Sequence, residues 1–284
     1  MNLHEYKKEI ISLIDQAIKE DVKDGDHSSL ACIPSSAIGK AHLLVKQEGV
    51  IAGIEIAKMV FESLSEKVTF KQLIEDGSKV KPGEIAFTIE ASKQTLLKGE
   101  RLALNILQRM SGIATTTNEY ISLISHCNTK LLDTRKTTPN NRVFEKLAVK
   151  IGGGHNHRFG LYDMVMLKDN HIDFAGGIEQ AIKKTNEYLV DNRLDLKIEI
   201  EVRDFQELNE VLAIGEIDRI MLDNFSVEDT KEALKLINGK YETESSGGIN
   251  KTTIKAYAET GVDYISVGAL THQIYSLDLS LKAI

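Results

Sequence analysis

Apolar residues at Ile10, Leu13, Ile14, Ala17 and Ile18 recur at the spacing of one helical face, so YKKEIISLIDQAIKED predicts an amphipathic helix. KAHLLVKQEGVIAG and VTFKQLI read as strands, with GIEIAKMVFESL as a helix between them. EDGSKVKPGEIAFTIEAS alternates around Gly77 and the Pro82-Gly83 turn and predicts two short strands. From about Leu97 to Ser125 the pattern is helical, with Leu102, Leu104, Ile106 and Leu107 marking apolar faces.

Beyond this helix the pattern changes. Short apolar strands recur, each ending in polar or small residues: KLLDTRK, DMVMLKDN, KIEIEV, DRIMLDN, YETESSGG and DYISVGA. With Thr134, Lys168, Glu201, Asp223, Ser246 and Gly268 as strand ends, the intervals are 34, 33, 22, 23 and 22 residues. The last three each match one compact βα unit. GIEQAIKKTNEYL, FQELNEVLAI, VEDTKEALKLI and KTTIKAYAETG supply helices between strands. Such repetition describes an α/β barrel, whose active site sits at the C-terminal ends of its strands. Six strands are legible, with LAVKIG as a candidate seventh, so the barrel is expected to be incomplete.

A chain of 284 residues, 42% hydrophobic and 27% charged, supports one large domain or two smaller ones. No stretch approaches a membrane span, and MNLHEYKKEIISLIDQ lacks the apolar run and cleavage site of a signal peptide. Cys32 and Cys127 stand alone, which indicates neither a disulfide framework nor a thiolate metal site. A cytoplasmic protein is expected. The net charge of −7 argues against a general nucleic-acid surface. Yet residues 133–171 hold seven Lys/Arg against four acids, and three of the eight histidines. A basic segment in an acidic chain suggests a small anionic ligand.

Convergent strand ends would bring Arg135, Lys136, Lys168, Glu201, Asp223, Ser246, Gly247, Gly248 and Gly268 to one mouth. The loop IGGGHNHR lies between the first two strand ends and can add His157 and Arg158. Arginine offers paired planar donors to carboxylate and phosphate, and lysine a compact charge. Glycines in SSGG and VGA let backbone N–H groups approach an anion. Glu201 and Asp223 suit ribose hydroxyls and a hydrated Mg²⁺ that also takes substrate phosphates. The set describes a site for a multiply anionic phosphosugar and an anionic co-substrate.

Taken together, DTRKTTPNNR, KLAVKIGGGHNHRFGLYDMVMLKDNHI, IEIEV, IMLDNFS, ESSGGIN and AETGVDYISVGALTHQ closely resemble the quinolinate phosphoribosyltransferase family, as do KGERLALNILQRMSGIATTT and EDVKDGDHSSL upstream. One departure is TTPNNR, where many members have Gly-Leu before the arginine.

The resemblance implies an N-terminal α/β sandwich domain over residues 1–115, with the tail 271–284 packed on it. An incomplete, six- or seven-stranded α/β barrel would occupy residues 116–270. It also implies decarboxylating transfer of phosphoribosyl from phosphoribosyl pyrophosphate to quinolinate, with Mg²⁺, in a homodimer or higher oligomer whose sites are completed by the partner. No nucleic-acid or membrane partner is expected.

By motif match, Arg101 would reach the neighbouring site, while Thr134, Arg135, Lys136, His157 and Arg158 would bind quinolinate. Lys168 would lie at the reacting centre. Glu201 and Asp223 would serve the ribose and Mg²⁺, directly or through water. Ser246, Gly247, Gly248, Val267, Gly268 and Ala269 would cradle the 5-phosphate. Two alternatives are a molybdate-transport-associated relative on the same barrel and a non-catalytic phosphosugar sensor. A sensor would need neither a reactive-centre lysine nor paired carboxylates.

Overall fold

A computed structural model describes residues 3–284 and divides them into two compact units. The chain begins with α1 (Lys7–Val22), which buries Ile10 and Ile14, the residues its periodicity marks. Asp26 caps the short α2 (His27–Cys32) by accepting the Ser29 amide. Then follow β1 (Ile38–Val45), β2 (Gly49–Val50), α3 (Ile54–Leu64), β3 (Thr69–Gln72), β4 (Lys79–Val80) and β5 (Ile85–Ser92). In β1, Ala41, Leu43 and Val45 are buried in alternation, as one apolar sheet face requires. The long α4 (Lys93–Ile124) comes next.

The second unit, residues 120–136 and 155–269, holds six parallel strands. They are β6 (Lys130–Leu132), β7 (Val165–Leu167), β8 (Ile198–Val202), β9 (Arg219–Asp223), β10 (Glu242–Ser246) and β11 (Tyr264–Ser266). Helices α5 (Arg142–Ile151), α6 (Asp169–Ala175), α7 (Ile178–Asp191), α8 (Phe205–Ile214), α9 (Val227–Ile237), α10 (Ile254–Ala258) and α11 (Ala269–His272) intervene along the chain. The strand order is β6-β11-β10-β9-β8-β7, and β6 does not pair with β7, so the barrel is open on one side. Ile198, Ile200, Val202, Ile220 and Leu222 join one core with Leu208, Val211, Ala233 and Ile237 of the flanking helices. Burying each such side chain contributes roughly 1.5–3 kcal/mol. Strand alternation therefore turns Glu199, Glu201, Met221 and Asp223 to the opposite face.

The expected strand in LAVKIG is instead the end of helix α5. A short apolar run does not separate the two conformations by pattern alone. The extra pairing comes a few residues later. His155 bridges Leu132 in parallel, its N–H donating to Leu131 O (2.8 Å) while Asp133 N–H donates to His155 O (3.1 Å). The segment after the glycines thus lies along β6 on the open side.

The glycine run has a packing cause. Gly152, Gly153 and Gly154 donate to Ala148 O, Lys150 O and Val149 O and so close α5. A Cβ at Gly152 would lie 2.5 Å from Ala114 O, and Gly153 has φ +96°. Asn140 has φ +64°, a region asparagine tolerates better than most other side chains. The first unit takes in residues 137–154 and 270–284 as well as those up to 119. In it β12 (Leu279–Ala283) pairs antiparallel with β1, extending a sheet of order β12-β1-β5-β3.

Candidate active site

The C-terminal ends of the parallel strands deliver the functional side chains. Lys168 follows β7 and starts α6, its N–H donating to His171 Nδ1 (3.0 Å). Its Nζ meets Glu201 Oε2 of β8 at 2.5 Å. Half of the lysine remains accessible while the glutamate is nearly buried, so the cation is held at the mouth. On β9, Asp223 lies beside Ser246 of β10 in register. Asn224, with φ +57°, donates from Nδ2 to Asp223 Oδ2 (2.7 Å) and from its N–H to Ser246 O (2.9 Å).

A Cβ at Gly247 would come within 2.2 Å of Asn224 Oδ1, whereas Gly248, φ +62°, faces open space. Among the described residues, neither glycine N–H finds a backbone acceptor. That suits an anion approaching the SSGG turn. The expected cradle is narrower at VGA. The Val267 N–H donates to Leu132 O (3.0 Å), continuing the sheet, so it is already used. Gly268 and Ala269 lie beyond that bond, with Ala269 opening α11.

After β6, the Thr134 hydroxyl accepts the exposed Lys136 N–H (3.0 Å), which shapes the turn. Arg135 is half-buried, and its Nε is buried without a protein partner. Arg158 donates from Nη1 to Met164 O (3.2 Å), just before β7. Burial, then the neighbouring Arg135 charge, hold the Arg158 guanidinium below the usual arginine range. Two guanidiniums in a partly desolvated recess favour a ligand with two negative charges.

His157 is buried and faces Glu199 and Glu244, which sequence reading missed. Its Nε2 lies 3.0 Å from Glu199 Oε2 and 3.4 Å from Glu244 Oε2. Burial pulls the imidazole pKa down, but the Glu199 and Glu244 carboxylates outweigh it and push it up to about 9. Burial, then Glu244, push the Glu199 carboxyl above its ordinary range. At Glu244 burial acts in the same sense, but His157, Ser266 and Arg219 hold its carboxyl below the ordinary range. Arg219 lies 3.2 Å from Glu244 and 4.0 Å from Glu199. The signal for Glu199 was present, since in IEIEV it shares the face of Glu201.

Arg101 lies exposed on α4 in the first unit. Among the described residues, no helix is long and apolar enough to cross a membrane.

Residues 26–111 match the family model "Quinolinate phosphoribosyl transferase, N-terminal domain", and residues 113–282 match "Quinolinate phosphoribosyl transferase, C-terminal domain". The chain is 42% identical over 290 residues to a mitochondrial quinolinate phosphoribosyltransferase [decarboxylating] 2b of Nicotiana tabacum, covering 97% of this chain and 81% of that one. It is 40% identical to a probable nicotinate-nucleotide pyrophosphorylase [carboxylating] of Bacillus subtilis, covering 95% and 91%. The crystal structure of NadC from Streptococcus pyogenes superposes with a TM-score of 0.91 at 38% identity, over 100% of this chain and 99% of that one. These names describe phosphoribosyl-transfer enzymes rather than a transport-associated relative or a sensor. With both family domains matched in order and the parallel-strand mouth built from the same motifs, the chain belongs to the quinolinate phosphoribosyltransferase family.

Proposed function

We propose that the protein joins quinolinate to phosphoribosyl pyrophosphate, forming nicotinate mononucleotide, pyrophosphate and CO₂ in NAD biosynthesis. The observation that carries the substrate assignment is the Arg135–Arg158 pair, two neighbouring cations in a half-buried recess with one Nε unpartnered. A pyridine dicarboxylate supplies two charges to such a pair. Lys136, exposed beside Arg135, adds a third cation at the edge.

Phosphoribosyl pyrophosphate fits the other side of the mouth. The Gly247 and Gly248 amides meet its 5-phosphate, while Asp223 and Glu201 meet the ribose hydroxyls. Glu201 and Asp223 would hold Mg²⁺ as hard oxygen donors. When bound, it neutralises charge developing on the pyrophosphate.

As the C1–O bond breaks, C1 of the ribose gains oxocarbenium character and the pyridine nitrogen forms the new bond. Lys168 leaves its Glu201 contact to sit between the two substrates. The cationic ring nitrogen then stabilises the electron pair left on C2 when the adjacent carboxylate departs as CO₂, and a proton from solvent is taken up at C2. No covalent enzyme nucleophile is required; the residues orient two highly charged molecules and exclude water. Each site takes Arg101 from a second copy, which makes a homodimer the smallest active form.

Substrate choice tests the assignment. Nicotinate has one carboxylate and would leave one guanidinium unpaired in a desolvated recess, a strong ground for rejection. Mononucleotide and CO₂ release should be seen with quinolinate, and kcat/KM for nicotinate should be lower by at least about 10³-fold. Comparable kcat/KM for the two acids would overturn the assignment.

A further inference from the structure

Asn224 holds a backbone conformation that its place in the fold makes unusual. Among the described residues, six other than glycine have positive φ: Lys23, Asn140, Arg193, Glu216, Asn224 and Asn238. Lys23, Arg193, Glu216 and Asn238 follow helices, where the left-handed region closes the last turn, and Asn140 lies just ahead of one. Of these six, Asn224 is the one that follows a parallel strand, at the C-terminal end of β9 with φ +57°. Such a conformation persists where its surroundings fix it, and these positions cluster at functional sites.

The surroundings fix this one through the main chain. The Asn224 N–H donates to Ser246 O of β10 (2.9 Å). The next residue, Phe225, is buried against the edge of Phe205, and the Tyr257 hydroxyl donates to the Phe225 carbonyl (2.8 Å). None of these contacts uses the Asn224 side chain. That side chain turns to the mouth instead, where Nδ2 donates to Asp223 Oδ2 (2.7 Å). Among the described residues this is the one hydrogen bond the Asp223 carboxylate accepts, so Oδ1 keeps its lone pairs for a ligand. The bond is exposed, and both groups can meet water when unfolded, so it adds little to folding. What it does fix is the rotation of the carboxylate.

We infer that Asn224 is a positioning residue: its side-chain amide locks the rotation of the Asp223 carboxylate, so that Oδ1 rather than Oδ2 meets the ribose hydroxyls of the phosphosugar. The inference rests on the role proposed for Asp223 in that subsite. Asn224 itself touches no reacting atom.

Glycine is the replacement that isolates the amide. It adopts φ +57° without strain and keeps the N–H bond to Ser246, so Asn224→Gly removes the side chain and leaves the turn held. Its Tm should stay within about 4 °C of wild type. Calorimetric affinity for phosphoribosyl pyrophosphate should fall about tenfold, the scale of one hydrogen bond, while quinolinate affinity stays within about twofold. Unchanged phosphoribosyl pyrophosphate affinity, equal losses for both substrates, or a Tm drop above about 10 °C would overturn the inference.

A double-mutant cycle then asks whether the amide acts through Asp223. In an Asp223→Ala background, Asn224→Gly should change phosphoribosyl pyrophosphate affinity by less than about twofold. A second loss of about tenfold there would mean that the amide meets the ligand directly, and the positioning role would be wrong. If Asp223→Ala alone leaves this affinity intact, the role proposed for Asp223 fails and the inference with it. If Asp223→Ala weakens binding and Asn224→Gly does not, the inference fails and the role of Asp223 stands.

Discussion

Removing Arg158 separates binding from folding. In the free protein its guanidinium is half-buried beside Arg135 and has one hydrogen bond, to Met164 O. Arg158→Ala forfeits that bond, about 0.5–1.5 kcal/mol, but also relieves the repulsion from Arg135. The two effects oppose, so net stability should change by no more than about 1 kcal/mol, or roughly 2–4 °C in Tm for domains of this size.

Ligand binding has no such compensation. A quinolinate carboxylate left without its partner costs about 2–5 kcal/mol, a loss of roughly 30- to 5,000-fold in affinity. Calorimetric titration with quinolinate and, separately, with phosphoribosyl pyrophosphate reads the difference, and thermal melts read stability. Quinolinate affinity should collapse while the sugar-phosphate affinity and Tm hold. Equal losses for both ligands, or a Tm drop above about 10 °C, would refute the reasoning, because Arg158 would then serve the fold rather than the acid subsite.

Three further predictions follow from other parts of the chain. Inactive Arg101→Ala and Lys168→Ala proteins, mixed and allowed to exchange subunits, should recover roughly one quarter of wild-type activity through heterodimers with one intact site; silence despite heterodimers seen by mass would place Arg101 in its own subunit's site. Gly152→Ala drives a methyl group into the Ala114 carbonyl and should cost about 1–3 kcal/mol in denaturant unfolding, while Asn140→Gly should be nearly neutral because φ +64° suits both residues. Burial, opposed by the Ile54, Gly53 and Glu55 amides, raises the Asp76 pKa from 3.8 to about 6. The folded state then holds this proton more tightly, so the Asp76 contribution is greatest below about pH 4 and is lost as pH rises to 6. Asp76→Asn should remove that slope, about 1 kcal/mol after solvent screening of a half-buried side chain; an unchanged slope would assign it to another group.

Much of the molecule could be read from order along the chain. Strand ends at Lys168, Glu201, Asp223 and Ser246 were legible because alternation and turn chemistry act over a few neighbouring residues. The family followed from motif combinations, and the long helix before the barrel from its period. LAVKIG was ambiguous for the same reason: a local apolar run carries no record of whether helix or sheet will bury it. The grouping of Glu199 with Glu244 was hidden for a different reason. They are 45 residues apart, and only the parallel pairing of β8 and β10 through β9 sets them around His157.

Sequence by itself determined the family, the six-strand repeat and the cationic character of residues 133–171. Tertiary structure decided that the glycine run closes a helix against Ala114, that the Val267 N–H belongs to the sheet, and that His157 faces inward onto two buried acids. The physical reason is range. Periodicity and turn propensity are short-range properties of the chain, whereas burial, amide pairing and charge neighbours arise only when distant segments meet.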